Sequence, residues 1–245
     1  MIARVVITLW LAALVEFPGC VTFEWQAAWI TAAPDPMAKL VQQTMRADYR
    51  GETDRLERLA EAFAADTADT PRGAHAHYWR GYALWRRAFN LMNADPASAS
   101  ARSDLRAASF EFERASTFDG LHADALSARV SCIASLGATA GSSDSLWASI
   151  REYTPLLKAA VAAGPDNPRV LWVRSMLLFY TPKPYGGPDT AIRVMERGVT
   201  LARAERAGEH DPLQPAWGEA ENLMNLAWVC AHQPAPDLDR AERTA

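Results

Sequence analysis

The chain has 245 residues, 49% of them apolar and 22% charged, with a formal net charge of −4. That profile belongs to a globular protein and excludes disordered, collagen-like and polytopic membrane chains. The mild acidity argues against a nucleic-acid binder, which would show a basic stripe. A chain this long buries roughly 70% of its unfolded surface and needs no disulfide or metal staple.

At the amino end, residues 5–15 form an apolar run preceded by Arg4 and closed by Glu16. Its length suits the apolar core of a signal peptide and falls short of the ~20 residues of a membrane span. Residues 1–35 therefore read as a signal peptide, an N-terminal anchor or a capping segment. Gly19-Cys20 resembles the end of a bacterial lipobox, which would lipidate Cys20, although Phe17 and Pro18 depart from that pattern. Export to the periplasm or cell envelope is the expectation, with membrane attachment only through such a signal or lipid anchor. A translation start at Met37 would instead leave the protein cytoplasmic. The three cysteines, Cys20, Cys132 and Cys230, follow no metal-binding spacing and read as buried thiols.

From Pro36 onward apolar residues recur at three-and-four spacing and almost nowhere alternate, which predicts a nearly all-helical domain over 36–245. Proline follows a capping residue in Asp35-Pro36, Thr70-Pro71, Asp95-Pro96 and Asn167-Pro168, where its missing N–H is harmless and its fixed φ suits the first helical turn. With glycines near the exits, the predicted helices are 36–49, 53–65, 71–92, 96–117, 121–138, 144–163, 168–180, 188–207 and 215–232, with a further start at Pro236. Short connections make neighbours antiparallel, and a string of helical hairpins stacks side by side. The expected fold is all-α, a right-handed stack of about five antiparallel hairpins, the last one short.

The first helices of successive pairs carry Trp79-Arg80-Gly81, Ala128-Arg129-Val130 and Val173-Arg174-Ser175, and the second helices carry Asp189-Thr190-Ala191-Ile192 and Leu238-Asp239-Arg240-Ala241. This pattern resembles the tetratricopeptide-repeat (TPR) superfamily from Pro36 to the end, but the arginines lie 49 and 45 residues apart, wider than the family's period of about 34. TPR-like α-solenoid is the fitting description. The Tyr180-Thr181-Pro182 element, Gly186-Gly187-Pro188, and Pro215-Ala216-Trp217-Gly218 are similar to segments of exported, mostly uncharacterised bacterial TPR-like proteins. The resemblance implies a fold and a compartment, not an activity.

The loop also has a reading of its own. Pro182 and Pro184 stop a helix, Gly186-Gly187 permits positive φ, and Pro188 starts the next helix. Tyr185 then either packs on Trp217 and locks adjacent hairpins, the expected case, or is displayed to a partner.

Signatures of chemistry are absent from the sequence. His75 and His77 lie two apart, so on a helix they point about 200° from each other and cannot readily share one ion. His122 with Asp124 has the same spacing, and His210-Asp211 falls in a loop. No nucleophile elbow, phosphate loop, dinucleotide fingerprint or zinc-protease motif occurs, so no catalytic, cofactor or metal residues are assigned and the protein is expected not to be an enzyme. The arginines are interleaved with acids, as in Glu111-Phe112-Glu113-Arg114, and read as solvated helix faces.

Aromatic stripes remain the best lead. Tyr78, Tyr82 and Trp85 share one face of their helix, Trp172, Met176 and Phe179 or Tyr180 share another, and Met224 and Trp228 recur in the last full pair. On the concave side of a stack these residues, with Arg129, would form a groove for a protein or peptide; core filling is the competing role for each. The expected function is a non-catalytic TPR-like scaffold for protein–protein binding in the bacterial cell envelope, with a small-ligand or transport-accessory protein holding an apolar pocket between hairpins as the alternative.

Overall fold

The computed structural model describes residues 35–208 and 211–244. The readings placed on residues 1–34, Cys20 among them, and on His210 lie outside these. Ten helices follow in order: α1 (Pro36–Tyr49), α2 (Thr53–Ala64), α3 (Pro71–Ala94), α4 (Ala99–Ala115), α5 (His122–Ala138), α6 (Ser143–Ala163), α7 (Pro168–Phe179), α8 (Pro188–Arg206), α9 (Glu219–His232) and α10 (Leu238–Thr244). Among the described residues there is no strand.

Three of the four predicted cap–proline starts form as the side-chain chemistry requires. Asp35 accepts from the Met37 N–H, Thr70 from Gly73, and Asn167 from Arg169 and Val170, each ahead of a proline in the first turn. The fourth differs. Asp95 caps a turn by accepting from Ala97 N–H, so Ser98 takes over as cap and α4 begins at Ala99. Likewise α9 begins at Glu219 and not near Pro215, because Gly218 adopts φ +131° and the Glu221 carboxylate accepts the Gly218 N–H at 2.8 Å. A side chain with a Cβ would strain that backbone turn.

Helices pack as consecutive pairs, α1 on α2, α3 on α4, α5 on α6, α7 on α8 and α9 on α10. The second member then meets the next pair at α2–α3, α4–α5 and α8–α9, and first members touch at α1–α3, α5–α7 and α7–α9. Alanine and glycine allow these close crossings: a Cβ on Gly81 would come 3.1 Å from the Phe112 ring of α4, and one on Gly198 would collide with the Asn222 side chain of α9. The main apolar core runs along α3, where Tyr78, Trp79, Tyr82, Trp85 and Ala88 are buried, and takes in Leu105, Phe112, Leu121, Trp172 and Trp217. A second cluster joins Ile192 and Met195 of α8 to Leu226 and Val229 of α9. No described helix is long and apolar enough to cross a membrane.

Candidate functional site

Tyr78, Tyr82 and Trp85 do share one stripe on α3, but all three are fully buried, and Trp172 nearly so. They form the interior and not an open groove. What covers them is the chain's own connection between α8 and α9. Trp217 lies with its ring centroid 5.7 Å from each of Tyr82, Trp85 and Trp172, in tilted or edge-on geometry. Its indole N–H donates to Tyr78 Oη at 3.0 Å. Nearby, Trp79 Nε1 donates to the Leu213 carbonyl at 2.7 Å. Residues 211–218 thus fill the space in which the sequence placed a ligand.

A polar frame holds that segment. Arg169 donates from Nη1 to the Trp217 carbonyl at 3.1 Å, pairs with Glu205 through both Nη atoms at 2.6 and 2.9 Å, and turns Nε toward Asp124. Asn167 Nδ2 adds a bond to the other Asp124 oxygen at 2.8 Å. Burial pushes the Asp124 carboxyl above the usual carboxylate range, with Arg169 opposing that shift. On the far side of the segment, Tyr49 Oη donates to Glu221 at 3.1 Å, while Tyr82 and Arg86 both donate to Asp48. Burial raises the Tyr78 and Tyr82 phenols well above their ordinary value, and Asp124 and Asp48 add to the respective shifts.

Two of the three repeat arginines, Arg80 and Arg129, go to carboxylates of α4. Arg129 pairs with Glu113 at 2.9 Å and Arg80 with Glu111 at 2.6 Å, so Arg129 is occupied within the fold and not held ready in a groove. The Gly186-Gly187 loop needs its glycines for two different reasons. Only Gly187 has positive φ, +98°; at Gly186 a Cβ would lie 2.6 Å from the Leu178 carbonyl oxygen, so close approach is what excludes a side chain. Tyr185 does not lock onto Trp217. It is 83% exposed, whereas Trp217 is buried in the α3 core.

Among the described residues, a cluster of aromatic side chains is open where the end of α7 meets α9. Phe179 and Tyr180 have ring centroids 5.0 Å apart, Phe179 and Trp228 5.3 Å apart, and Trp228 stacks on His232 at 4.4 Å and 14°. Tyr180 is 68% exposed, Met224 55% and Trp228 37%. Met224, Trp228 and His232 follow one another at intervals of four on α9 and therefore share a face. Met176, one turn before Phe179, is partly buried and anchors this surface to the α8–α9 core. Of the candidate groove residues, Met176 and Trp228 belong here, with Phe179, Tyr180 and Met224 of the same stripes; His232 is the residue the sequence did not single out.

His232 Nδ1 lies 2.7 Å from the Trp228 carbonyl. A carbonyl only accepts, so Nδ1 donates in this contact and the ring is held in place by it. The Met224 side chain, the stacked Trp228–His232 pair and the edge-on Phe179 and Tyr180 rings form an adaptable, polarizable face. The arrangement suits recognition of a flat apolar group. Three other surface hollows are described, two of which mix charged and hydroxyl side chains with apolar ones, Phe118 and Pro71 in one and Leu136 in another.

No protein-family profile and no curated protein sequence matches the chain. Its structure is similar to that of the HusA haemophore from Porphyromonas gingivalis, with a TM-score of 0.59 and 22% identity, covering 82% of this chain and 96% of that one. At that identity the likeness is one of fold.

Proposed function

We propose that this is an exported, non-catalytic helical binding protein that takes a flat, largely apolar ligand of the porphyrin class on the α7/α9 surface. The scaffold reads as TPR-like, a right-handed stack of about five hairpins with a short last one; the packing of each helix pair on the next supports that reading. The observation that carries the functional proposal is the continuous run Tyr180, Phe179, Trp228 and His232, flanked by Met224, open to solvent on a protein that buries Tyr78, Trp79, Tyr82, Trp85 and Trp217. A porphyrin face would stack on the parallel Trp228–His232 pair, with Phe179 and Tyr180 meeting it edge-on and the Met224 side chain flanking it. A similar fold in a protein named as a haemophore supports the choice of ligand class.

Titration of the purified protein with haemin and with iron-free protoporphyrin, followed by porphyrin absorbance, tests this. Saturable one-to-one binding of both is expected, weakened about tenfold or more by Trp228→Ala, which is about 1.4 kcal/mol. His232→Ala should weaken haemin and the iron-free ring to a similar degree, because the imidazole meets the ligand by stacking. Absence of saturable binding, or identical binding by Trp228→Ala, would overturn the proposal. A protein partner is the second reading, favoured by the exposed Tyr185 on the loop that follows Tyr180; it predicts a specific captured protein lost in both Tyr185→Ala and Trp228→Ala, with no porphyrin effect.

A further inference from the structure

We infer that the hollow between the start of α3 and the end of α4 binds a small zwitterion of the α-amino-acid class. The site is separate from the α7/α9 surface and does not depend on it. Its volume is about 190 Å³, below the roughly 300–1,000 Å³ of pockets for drug-sized ligands. A small molecule matches that volume.

Its lining sets one cation against one anion on different elements. Asp69 comes from the loop before α3 and Arg114 from the last turn of α4, and neither is in an ion pair among the described residues. The neighbouring charges are engaged elsewhere: Arg72 is bound by Asp35 at 2.7 Å and approached by Asp66 at 3.8 Å. Two exposed, opposite charges facing one small space match the carboxylate and ammonium of a zwitterion. Arg114 offers the planar fork that suits a carboxylate, and Asp69 accepts from an ammonium. A purely anionic ligand would be repelled by Asp69, and a purely cationic one by Arg114.

The remaining wall is preorganised. His77 Nδ1 donates to Glu111 Oε2 at 2.6 Å, and Arg80 Nη1 holds the other Glu111 oxygen at 2.6 Å. Glu111 is buried and its charge is met by Arg80, so the imidazole that lines the hollow is fixed through one nitrogen. The Thr117 hydroxyl donates to the Arg114 carbonyl at 2.8 Å and keeps its oxygen as an acceptor, and Phe118 gives an apolar wall on which a ligand's side chain can rest. The three kinds of contact are those that an amino acid presents: two charges of opposite sign and one variable group between them.

Isothermal titration with each common free amino acid, and with its amide and N-acetyl derivative, reads the proposal directly. At least one should bind saturably below about 10 mM, and either derivative, lacking one of the charges, should bind about tenfold more weakly or not at all. Arg114→Gln and Asp69→Asn should each weaken the binding by about tenfold with an unchanged melting temperature, since both side chains are exposed. No saturation by any amino acid up to about 10 mM would overturn the proposal. So would N-acetyl derivatives binding as well as the parent, or both variants binding as the wild type does.

Discussion

Replacing Trp217 with alanine removes the ring at the meeting point of α3, α7 and the α8–α9 connection. Trp217 is buried and touches Tyr82, Trp85 and Trp172, and its N–H satisfies the Tyr78 hydroxyl oxygen. Truncating a buried tryptophan costs about 3–5 kcal/mol through lost transfer energy and the cavity left behind. Leaving the Tyr78 hydroxyl without this partner adds about 1 kcal/mol. The sum, about 4–6 kcal/mol, is a large share of the 5–15 kcal/mol of a typical domain, and at about 2–4 °C per kcal/mol it lowers Tm by roughly 10–20 °C. Guanidinium unfolding followed by helical circular dichroism measures it. Trp217→Phe, which keeps a ring and loses the donor, should cost about 1–3 kcal/mol, and Tyr185→Ala should stay within about 0.5 kcal/mol because that side chain is exposed. A Trp217→Ala loss below about 1 kcal/mol would refute the placement of 211–218 in the core and leave the α3 stripe free to line a groove.

Arg169→Leu should destabilise by about 3–5 kcal/mol, because it strands the buried Asp124 carboxylate, and the double variant with Asp124→Leu should recover part of that loss in the same unfolding assay. Gly186→Ala and Gly187→Ala should each lower stability by about 1–3 kcal/mol, the first through collision with the Leu178 carbonyl and the second through the φ of +98°. Alkaline pH gives a third check. Tyr78 and Tyr82 keep their protons in the folded state above the ordinary phenol value of 10.0, whereas the unfolded chain releases them near pH 10. The folded state then binds more protons, so stability is intact below about pH 10 and falls as pH rises beyond it. Phenolate absorbance should develop in two phases, exposed tyrosines first and these two only with unfolding; a single phase with the helical signal intact would contradict their burial.

Helix positions were legible because caps and prolines act locally. Asp35-Pro36, Thr70-Pro71 and Asn167-Pro168 determine their starts within three residues of chain. The error at Asp95 has the same local origin: two residues compete to cap one helix, and Ser98 wins because Asp95 is engaged with Ala97. What covers the α3 stripe was not legible. Trp217 meets Tyr78 across 139 residues and Leu213 meets Trp79 across 134, and periodicity shows that a face is apolar without naming the distant segment that buries it. The same limit explains why Trp172 and Trp228, read alike from spacing, end in different places. Trp172 faces the central aromatic cluster, while Trp228 lies on α9 beyond the reach of the 211–218 segment and stays at the surface. The signal that was available for the surface was the spacing of Met224, Trp228 and His232 at intervals of four.

Hydrogen–deuterium exchange of the protein with and without saturating haemin tests the central claim most directly. Ligand-dependent protection confined to residues 176–182 and 222–232, with no change at 78–85 or 211–218, is the predicted result. Protection at 78–85 with accelerated exchange at 211–218 would show that the ligand displaces the α8–α9 connection and enters the interior, and it would contradict a binding face at α7 and α9.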